Sequence, residues 1–408
     1  MRLRPTNGCP RCLVASRRAT RSIGGRRAGL CTSLRAGEGK SRDRVAEVDG
    51  IAPQFSAGKR PNLKSFGRDS LRERFVADGL PAYRADQVMV WLYARGVDDI
   101  HAMTNLPLEL RRGLAETWEC RALETRAIQT SADGTKKFVL ETWDGEVLEA
   151  VLIPEERRNT LCISTQVGCP LACSFCATGK MGLKRNLGVA EIVDQFIRAR
   201  EVLADDDVIT NIVFMGMGEP LLNLAAVKES IRIFTEPRSL GMAPRRITVS
   251  TSGIVPQIRP LLEIGPINLA VSLHATTDDV RDELVPLNKR FPLKVLLGAL
   301  REEELITKKR PVFFEYTLMK NTNDSLDDAR RLSLLLEGIP CKVNLIPMNP
   351  HPDADYEPPS REVCDAFAAE VYRSGLRVTL RRNRGRDIDA ACGQLAARHL
   401  PQAKSVIL

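Results

Sequence analysis

Three cysteines stand close together near the middle of the chain, at Cys169, Cys173 and Cys176, with the spacing CxxxCxxC. Thiolates are soft ligands that suit zinc ions and iron–sulfur clusters. A structural zinc site normally takes four protein ligands, whereas three thiolates on one loop leave one iron of a four-iron cluster open. The spacing therefore favours an iron–sulfur cluster with a vacant coordination position over a zinc knuckle or three unlinked buried thiols.

The segment from Cys169 to Cys176 resembles the signature of the radical S-adenosylmethionine superfamily, in which an aromatic residue, here Phe175, precedes the last cysteine. The resemblance implies one [4Fe-4S] cluster per chain, whose open iron binds the amino and carboxylate groups of S-adenosylmethionine. It also implies that one-electron reduction cleaves the sulfonium to a 5′-deoxyadenosyl radical. The cofactor carries this chemistry while the protein positions it.

Glycine-rich and polar segments follow several predicted strands. In the segment GMGEP, Gly218 lets the backbone approach a ligand closely, and Glu219 is able to accept hydrogen bonds from an ammonium group. Each such segment is by itself more typical of a turn or a helix cap, but together they outline one rim. The other residues predicted to contact the cofactor are Ser250, Ser272, Leu273, His274 and Asn349.

Two further cysteines, Cys162 and Cys392, narrow the reaction. Either one alone is more often an inert buried thiol. The surrounding sequence, however, resembles the RlmN/Cfr family of RNA methyltransferases over roughly residues 65–400. The segments that carry the resemblance are LCISTQVGCPLACSFCATGKMGLKRNL, GMGEPLLN, RRITVSTSGIVP, VSLHA, LVPLNK, CKVNLIPMNP, DIDAACGQL and, nearer the N-terminus, LPAYRADQVMVWLY.

This resemblance implies a reaction that uses two S-adenosylmethionine molecules per turnover. The first methylates Cys392, and the second supplies the radical that removes a hydrogen atom from that methyl group. The resulting methylene radical adds to an adenine carbon, a base takes the ring proton, and Cys162 attacks the Cys392 sulfur to form a disulfide. Glu149 occupies the family's proton-acceptor position. A solvated strand glutamate and proton transfer to Cys162 remain the alternatives.

The resemblance also implies the partners. The substrate is the C2 carbon of an adenine in 23S-type rRNA near the peptidyl-transferase centre, with a tRNA anticodon-loop adenine as a second target. An electron donor such as flavodoxin or ferredoxin is required, and the chain is expected to be a monomer. Methylation at C8, as in the Cfr branch, and a non-catalytic, zinc-stabilised RNA-binding protein are the competing hypotheses.

The positive charge of the chain is unevenly distributed. Residues 1–36 contain nine arginines, no lysine and no acidic residue, which leaves 51 basic and 51 acidic residues elsewhere. The net charge of +9 is therefore no argument for RNA binding. Basic clusters beside the cysteines nevertheless predict phosphate contacts. Their members are Lys180, Lys184, Arg185, Arg373, Arg377, Arg381, Arg382, Arg384 and Arg386.

The arginine-rich, acid-free composition of the N-terminus is typical of an organelle transit peptide. We therefore expect residues 1–55 to be a leader, with a plastid stroma favoured over a mitochondrion. A basic arm on a cytoplasmic protein is the alternative. No stretch approaches the length of about 18 apolar residues that a membrane-spanning helix needs, so no membrane partner is expected.

The rest of the chain must position these residues. Helical spacing in 82–94 and 106–118 predicts a small helical accessory domain over residues 66–120. Asp-Gly turns between β-prone runs predict a β-hairpin extension over residues 121–156. From residue 157 to about 400, six apolar runs alternate with helical patterns. The fold class is therefore α/β, with a partial (β/α)6 TIM-like radical S-adenosylmethionine barrel whose chemistry lies at the C-terminal strand ends.

Overall fold

The computed structural model describes residues 60–204, 207–381 and 383–396. The predicted leader, residues 1–55, lies outside the described residues. No helix in the described ranges is long and apolar enough to cross a membrane.

The N-terminal helical region precedes a large sheet. Helix α1 spans Arg68–Ala77, α2 spans Tyr83–Met89 and α3 spans Leu108–Thr117. Helix α2 continues into a short π-helical turn at Val90–Ala94, so the predicted helix over 82–94 is correct in extent and changes its hydrogen-bond pattern midway. Its apolar residues, among them Trp91 and Tyr93, are buried. The helical region predicted from sequence periodicity is therefore present.

The strands are β1 Leu123–Thr130, β2 Lys136–Thr142, β3 Val147–Glu155, β4 Arg158–Cys162, β5 Gln166–Gly168, β6 Leu183–Asn186, β7 Asn211–Phe214, β8 Ile247–Thr251, β9 Asn268–Ser272, β10 Val312–Leu318, β11 Cys341–Pro347 and β12 Arg377–Leu380. Ten of them form one sheet in the order β1-β2-β3-β4-β7-β8-β9-β10-β11-β12, and β5 and β6 form a separate two-stranded ladder. The first three strands form an antiparallel meander that joins the sheet directly through β3 and β4. From β4 onward, all neighbours in the ten-stranded sheet are parallel.

Helices connect the parallel strands, as the alternating pattern predicts. Helix α5 is buried along its apolar face and also at Asp194 and Arg198. The helices are α4 Ala177–Lys180, α5 Val189–Arg200, α6 Leu224–Thr235, α7 Val255–Leu262, α8 Asp278–Leu284, α9 Leu293–Glu302, α10 Leu326–Leu335 and α11 Arg361–Arg373. The predicted α/β class is confirmed, and the sheet is open: within the described residues, β1 and β12 are its two free edges.

A buried ion-pair network connects the helical region to the sheet. The ammonium group of Lys64 lies 2.6 Å from the Asp98 carboxylate and 2.5 Å from that of Asp194. Arg198 contacts both carboxylates. Asp194 also accepts hydrogen bonds from the backbone N–H groups of Ala122 and residue 123, at the start of β1. The buried charges that connect the helical region to the sheet are thus paired with opposite charges, as the burial of charged groups requires.

Candidate active site

One cavity lies at the C-terminal ends of the parallel strands and has an empty volume of about 940 Å³, part of it open to solvent. It is bounded by the cysteine loop, by the segments that follow β7 to β11, and by the segment that carries Cys392. Ten of the predicted site residues line it: Cys169, Cys173, Cys176, Gly218, Glu219, Ser250, Ser272, His274, Asn349 and Cys392.

The cysteine loop is held at its start by a small two-stranded ladder of β5 and β6. Gly168 begins the loop with φ +77°, and a Cβ there would lie 1.8 Å from the Gly182 carbonyl oxygen, so only glycine fits. Burial raises the pKa of Cys169 to about 12 and that of Cys173 well above its ordinary value. Loading a metal cluster must therefore release protons from these thiols.

The carboxylate of Glu219 is buried at the cavity wall. Its Oε2 accepts a hydrogen bond of 2.8 Å from the Ser252 backbone N–H, and its Oε1 accepts one of 3.1 Å from that of Leu221. Desolvation raises the pKa of Glu219, and these two N–H groups oppose the shift. A carboxylate has more acceptor positions than these two bonds use, so Glu219 is able to receive a cationic group as well.

His274 and Arg281 shape the strand ends. His274 has φ +60°, a strained value for this residue type, and its Nδ1 accepts a hydrogen bond from the Thr317 backbone N–H. Burial lowers the pKa of His274 to about 3, so the imidazole is neutral. The fully buried Arg281 donates to the carbonyl oxygens of Ser252, Ser272 and residue 273. Arg281 thereby ties the ends of β8 and β9 together.

The segment that carries Cys392 is fastened to the cysteine loop. The Ala177 N–H donates to the Gly393 carbonyl oxygen at 2.8 Å, and the Asn349 side-chain amide donates to that of Cys392 at 3.1 Å. Cys392 is exposed and lines the cavity. Desolvation raises the pKa of its thiol, and the guanidinium of Arg381 lowers it. Cys392 follows Cys176 by 216 residues in the sequence. In the folded chain, both cysteines line the same cavity.

Cys162 ends strand β4 and is buried just outside the cavity lining. Desolvation raises the pKa of its thiol to about 12, and the nearby Cys392 adds to this effect. Both residues are free thiols in the structure. Two cysteines that are far apart in sequence thus lie within electrostatic range of each other and of Arg381.

Two other predicted site residues do not line the cavity. Leu273 is fully buried, and its carbonyl oxygen accepts a hydrogen bond from Arg281. Glu149 is 1% exposed and forms an ion pair of 3.3 Å with the equally buried Lys137. The Glu149 Oε2 also accepts a hydrogen bond from the Ala396 N–H, four residues beyond Cys392. Glu149 is therefore linked to the segment that carries Cys392 through the backbone N–H of Ala396.

Several residues that line the cavity carry no sequence motif, and Glu315 is the acidic one among them. It lines the cavity from the middle of β10, and a single acidic residue within the apolar run PVFFEYTL was the available signal. Arg381, predicted to contact phosphate, also lines the cavity. Four of the other basic residues form ion pairs with acidic side chains. Lys184 pairs with Glu146, Arg185 with Asp144 and Glu191, and Arg373 with Glu370, and Arg384 lies 3.9 Å from Asp133. Arg382 lies outside the described residues.

The cavity fits the predicted cofactors. The three thiols that line it would supply ligands to an iron–sulfur cluster, and the buried Oδ1 of Asn349, which also lines the cavity, has no hydrogen-bond partner among the described residues. A polar ligand with a donor group, such as S-adenosylmethionine, would satisfy it.

Comparisons with known proteins agree with this interpretation. Residues 163–333 match the model of the radical SAM superfamily, and residues 61–120 match that of the ribosomal RNA large subunit methyltransferase N-terminal domain. The chain is 44% identical to the dual-specificity RNA methyltransferase RlmN of Marinobacter nauticus, over 84% of this chain and 94% of that protein. It is 47% identical to the protein of the same name from Rhodopseudomonas palustris, over 82% and 89%.

A solved structure gives the same result. The crystal structure of a radical SAM methyltransferase from Sphaerobacter thermophilus is 45% identical and superimposes with a TM-score of 0.78. The match covers 83% of this chain and 99% of that one. The chain belongs to the RlmN family of radical S-adenosylmethionine RNA methyltransferases.

Proposed function

We propose that this enzyme methylates the C2 carbon of an adenine in 23S-type rRNA, and of a tRNA anticodon-loop adenine, through a methylated Cys392. The observation that supports this most directly is that Cys392 lines the same cavity as Cys169, Cys173 and Cys176, with Cys162 beside it. The relatives are named dual-specificity RNA methyltransferases, which agrees with two RNA substrates.

One [4Fe-4S] cluster per chain, held by Cys169, Cys173 and Cys176, and two molecules of S-adenosylmethionine per turnover would supply the methyl group and the one-electron chemistry. Glu219, Ser250, Ser272, His274 and Asn349 would hold the S-adenosylmethionine, since they line the cavity next to the cysteine loop. An electron donor such as flavodoxin or ferredoxin is required by the same chemistry.

The two remaining thiols have separate roles in this proposal. Cys392 carries the methyl group as a thioether. Loss of one hydrogen atom from that methyl group, which the adenosyl radical would take up, lets its carbon bond to the adenine. The adduct then gives up the C2 proton to a base and one electron, which the iron–sulfur cluster would accept. The Cys162 thiolate then attacks the Cys392 sulfur: a sulfur–sulfur bond forms, the sulfur–carbon bond breaks, and its electron pair stays with the carbon, which is protonated to give the methyl group. Desolvation raises the pKa of both thiols, and the positive charge of Arg381 opposes that rise, so Arg381 favours the thiolate form of both cysteines.

Two groups compete for the ring proton. The sequence assigns it to Glu149 or to Cys162, and the structure pairs Glu149 with Lys137 outside the cavity lining. Cys162 lies within electrostatic range of Cys392, and only its thiolate form is able to take a proton.

The direct test is product analysis. Anaerobically reconstituted enzyme is incubated with defined rRNA and tRNA fragments, and the digested nucleosides are identified by chromatography and mass spectrometry. We expect 2-methyladenosine from both RNAs and none with Cys392→Ala. Formation of 8-methyladenosine would instead support the Cfr-like reaction. Product formation at the wild-type rate by Cys392→Ala would contradict the methyl-cysteine route.

We also propose that residues 1–55 direct the protein to an organelle, with the plastid stroma favoured. The support is the composition of this segment, with nine arginines and no acidic residue in its first 36 positions. Fusion of residues 1–60 to a fluorescent protein tests this by microscopy in plant cells. Diffuse cytoplasmic fluorescence would contradict it.

A further inference from the structure

Glu315 has a buried acceptor atom that no protein group satisfies. Its side chain lines the cavity and the residue is only 5% exposed. The Asn344 side-chain amide donates to its Oε1 at 2.9 Å, whereas its Oε2 has no hydrogen-bond partner. Buried polar atoms in proteins are almost always hydrogen-bonded, so an exception in a binding cavity indicates a ligand that supplies the donor.

Arg381 places donor groups next to this acceptor. Its guanidinium Nη1 lies 4.0 Å from the Glu315 Oε2, which is too far for a hydrogen bond. The Arg381 side chain is 38% exposed and also lines the cavity. Arginine only donates hydrogen bonds, so the pair presents one acceptor and several donors side by side to the same space.

This pattern matches one edge of adenine. Adenine presents its N6 amine as a donor beside a ring nitrogen that accepts, and proteins read such an edge with paired acceptor and donor groups. Guanine presents the reverse, an oxygen acceptor beside an N–H donor. An enzyme that acts on a base takes it out of the stack and reads its Watson–Crick edge in a pocket.

We propose that Glu315 and Arg381 form the adenine-recognition site of the enzyme, in which Glu315 Oε2 accepts a hydrogen bond from the N6 amine and Arg381 donates to the adjacent N1. The inference rests on the proposed methylation of an RNA adenine and names the residues that select the base.

S-adenosylmethionine also contains an adenine with the same hydrogen-bonding edge. The adenine that Glu315 and Arg381 bind therefore belongs either to the RNA or to the cofactor. The position of Arg381 favours the RNA base, because its charge acts on both Cys162 and Cys392, the thiols that must reach the target carbon. C2 is bonded to N1, and a base held by its N6 and N1 therefore presents C2 close to Arg381. The cofactor reaches Cys392 through its sulfonium methyl group and its C5′ carbon, so its adenine ring is not the part that must meet both thiols.

The experiment combines an enzyme variant with an altered RNA. Reconstituted wild-type and Glu315→Gln enzymes act on RNA that contains either adenosine or purine riboside, which lacks the N6 amine, at the target position. In Glu315→Gln, the donating Asn344 amide keeps the carbonyl oxygen of the new side chain at the Oε1 position, so the NH2 group takes the Oε2 position and faces the N6 donor. Glu304→Gln, at an exposed position outside the cavity lining, is the matched control.

We expect loss of the amine to lower kcat/KM of the wild type about 10- to 100-fold, and Glu315→Gln to lower it by a similar factor on adenosine RNA. The two losses should not multiply, because both remove the same contact. Dissociation constants for RNA, measured by fluorescence anisotropy, should show the same non-additivity without turnover.

A second measurement identifies the alternative source. Two results together would overturn the inference: weaker S-adenosylmethionine binding by Glu315→Gln in equilibrium dialysis, and normal methylation of purine riboside RNA by the wild type. In that case the site binds the adenine of the cofactor. If the wild type methylates both RNAs equally and Glu315→Gln changes neither binding constant, the inference is also wrong. Absence of any methylated adenosine from the wild type on unaltered RNA would contradict the proposed function itself. Iron content and circular dichroism check that each variant is folded.

Discussion

The buried pair of Lys137 and Glu149 gives a sharp prediction, because both side chains are 1% exposed and support the Cys392 segment. Glu149 accepts a hydrogen bond of 3.0 Å from the Ala396 N–H, and the Lys137 ammonium lies 3.5 Å from the Asp389 carbonyl oxygen. These two contacts are on either side of Cys392. The pair therefore anchors both ends of the segment that carries the reacting thiol.

Glu149→Gln keeps an acceptor for the Ala396 N–H but leaves the Lys137 ammonium buried without a counter-charge. Breaking a buried ion pair in this way costs about 3–5 kcal/mol. Lys137→Met/Glu149→Gln removes the remaining charge, so we expect it to be more stable than Glu149→Gln alone. Urea unfolding of the apoprotein measures these differences, and hydrogen exchange reports whether residues 385–396 lose protection first.

The same variant separates two roles of Glu149. If Glu149 positions Cys392, Glu149→Gln should lower the amount of methylated Cys392 found by mass spectrometry before RNA is added. If Glu149 takes the ring proton, Cys392 methylation should be normal and the protein–RNA adduct should accumulate. Unchanged stability, together with normal protection of 385–396, would refute the anchoring role.

Three more predictions follow from single residues. Cys162→Ala should accumulate a covalent protein–RNA adduct, visible on denaturing gels, because no thiol remains to attack Cys392; free methylated RNA at the wild-type rate would contradict this. Arg281→Met should destabilise the apoprotein by about 3–5 kcal/mol and weaken S-adenosylmethionine binding, since buried carbonyl oxygens lose their hydrogen-bond donor. The control variant Arg112→Met, at an exposed position, should change neither the stability nor the binding. The pKa of His274 is about 3 in the folded protein, against an ordinary value of 6.5. As the pH falls, the unfolded chain therefore takes up a proton at this histidine before the folded protein does. The free energy of unfolding should then fall below about pH 6.5, by about 1.4 kcal/mol per pH unit. His274→Gln should lack that component in urea titrations between pH 7 and 4, and an identical pH slope in both proteins would disprove it.

Sequence motifs predicted the cavity residues well where the signal was local. The CxxxCxxC loop was found by its spacing, and the polar segments were found because they follow apolar runs that form neighbouring parallel strands. Parallel strands align their C-terminal ends, so residues such as Gly218, Ser250 and Ser272 meet at one edge. The β-hairpin expected over 121–156 is a three-stranded meander that continues the main sheet, because β3 pairs with β4.

The partners of the basic residues could not be read from the sequence. A run of arginines ahead of Cys392 predicted phosphate binding, and in the structure Arg381 lines the cavity while Arg373 pairs with Glu370. Whether a basic residue is free for RNA depends on which acidic side chain the fold brings beside it, and these partners lie far away in sequence in most cases. Arg185, for example, pairs with Asp144, 41 residues earlier.

Cysteine spacing and strand-end motifs were enough to indicate the class of chemistry, because they are local patterns that thiol and backbone chemistry restrict tightly. Which distant groups share an environment became visible in the folded protein. The fold placed Cys392 beside Cys162, paired Glu149 with Lys137, and left one oxygen of Glu315 unsatisfied next to Arg381. Burial and electrostatic contact act through space between strands, and no spacing along the chain encodes them.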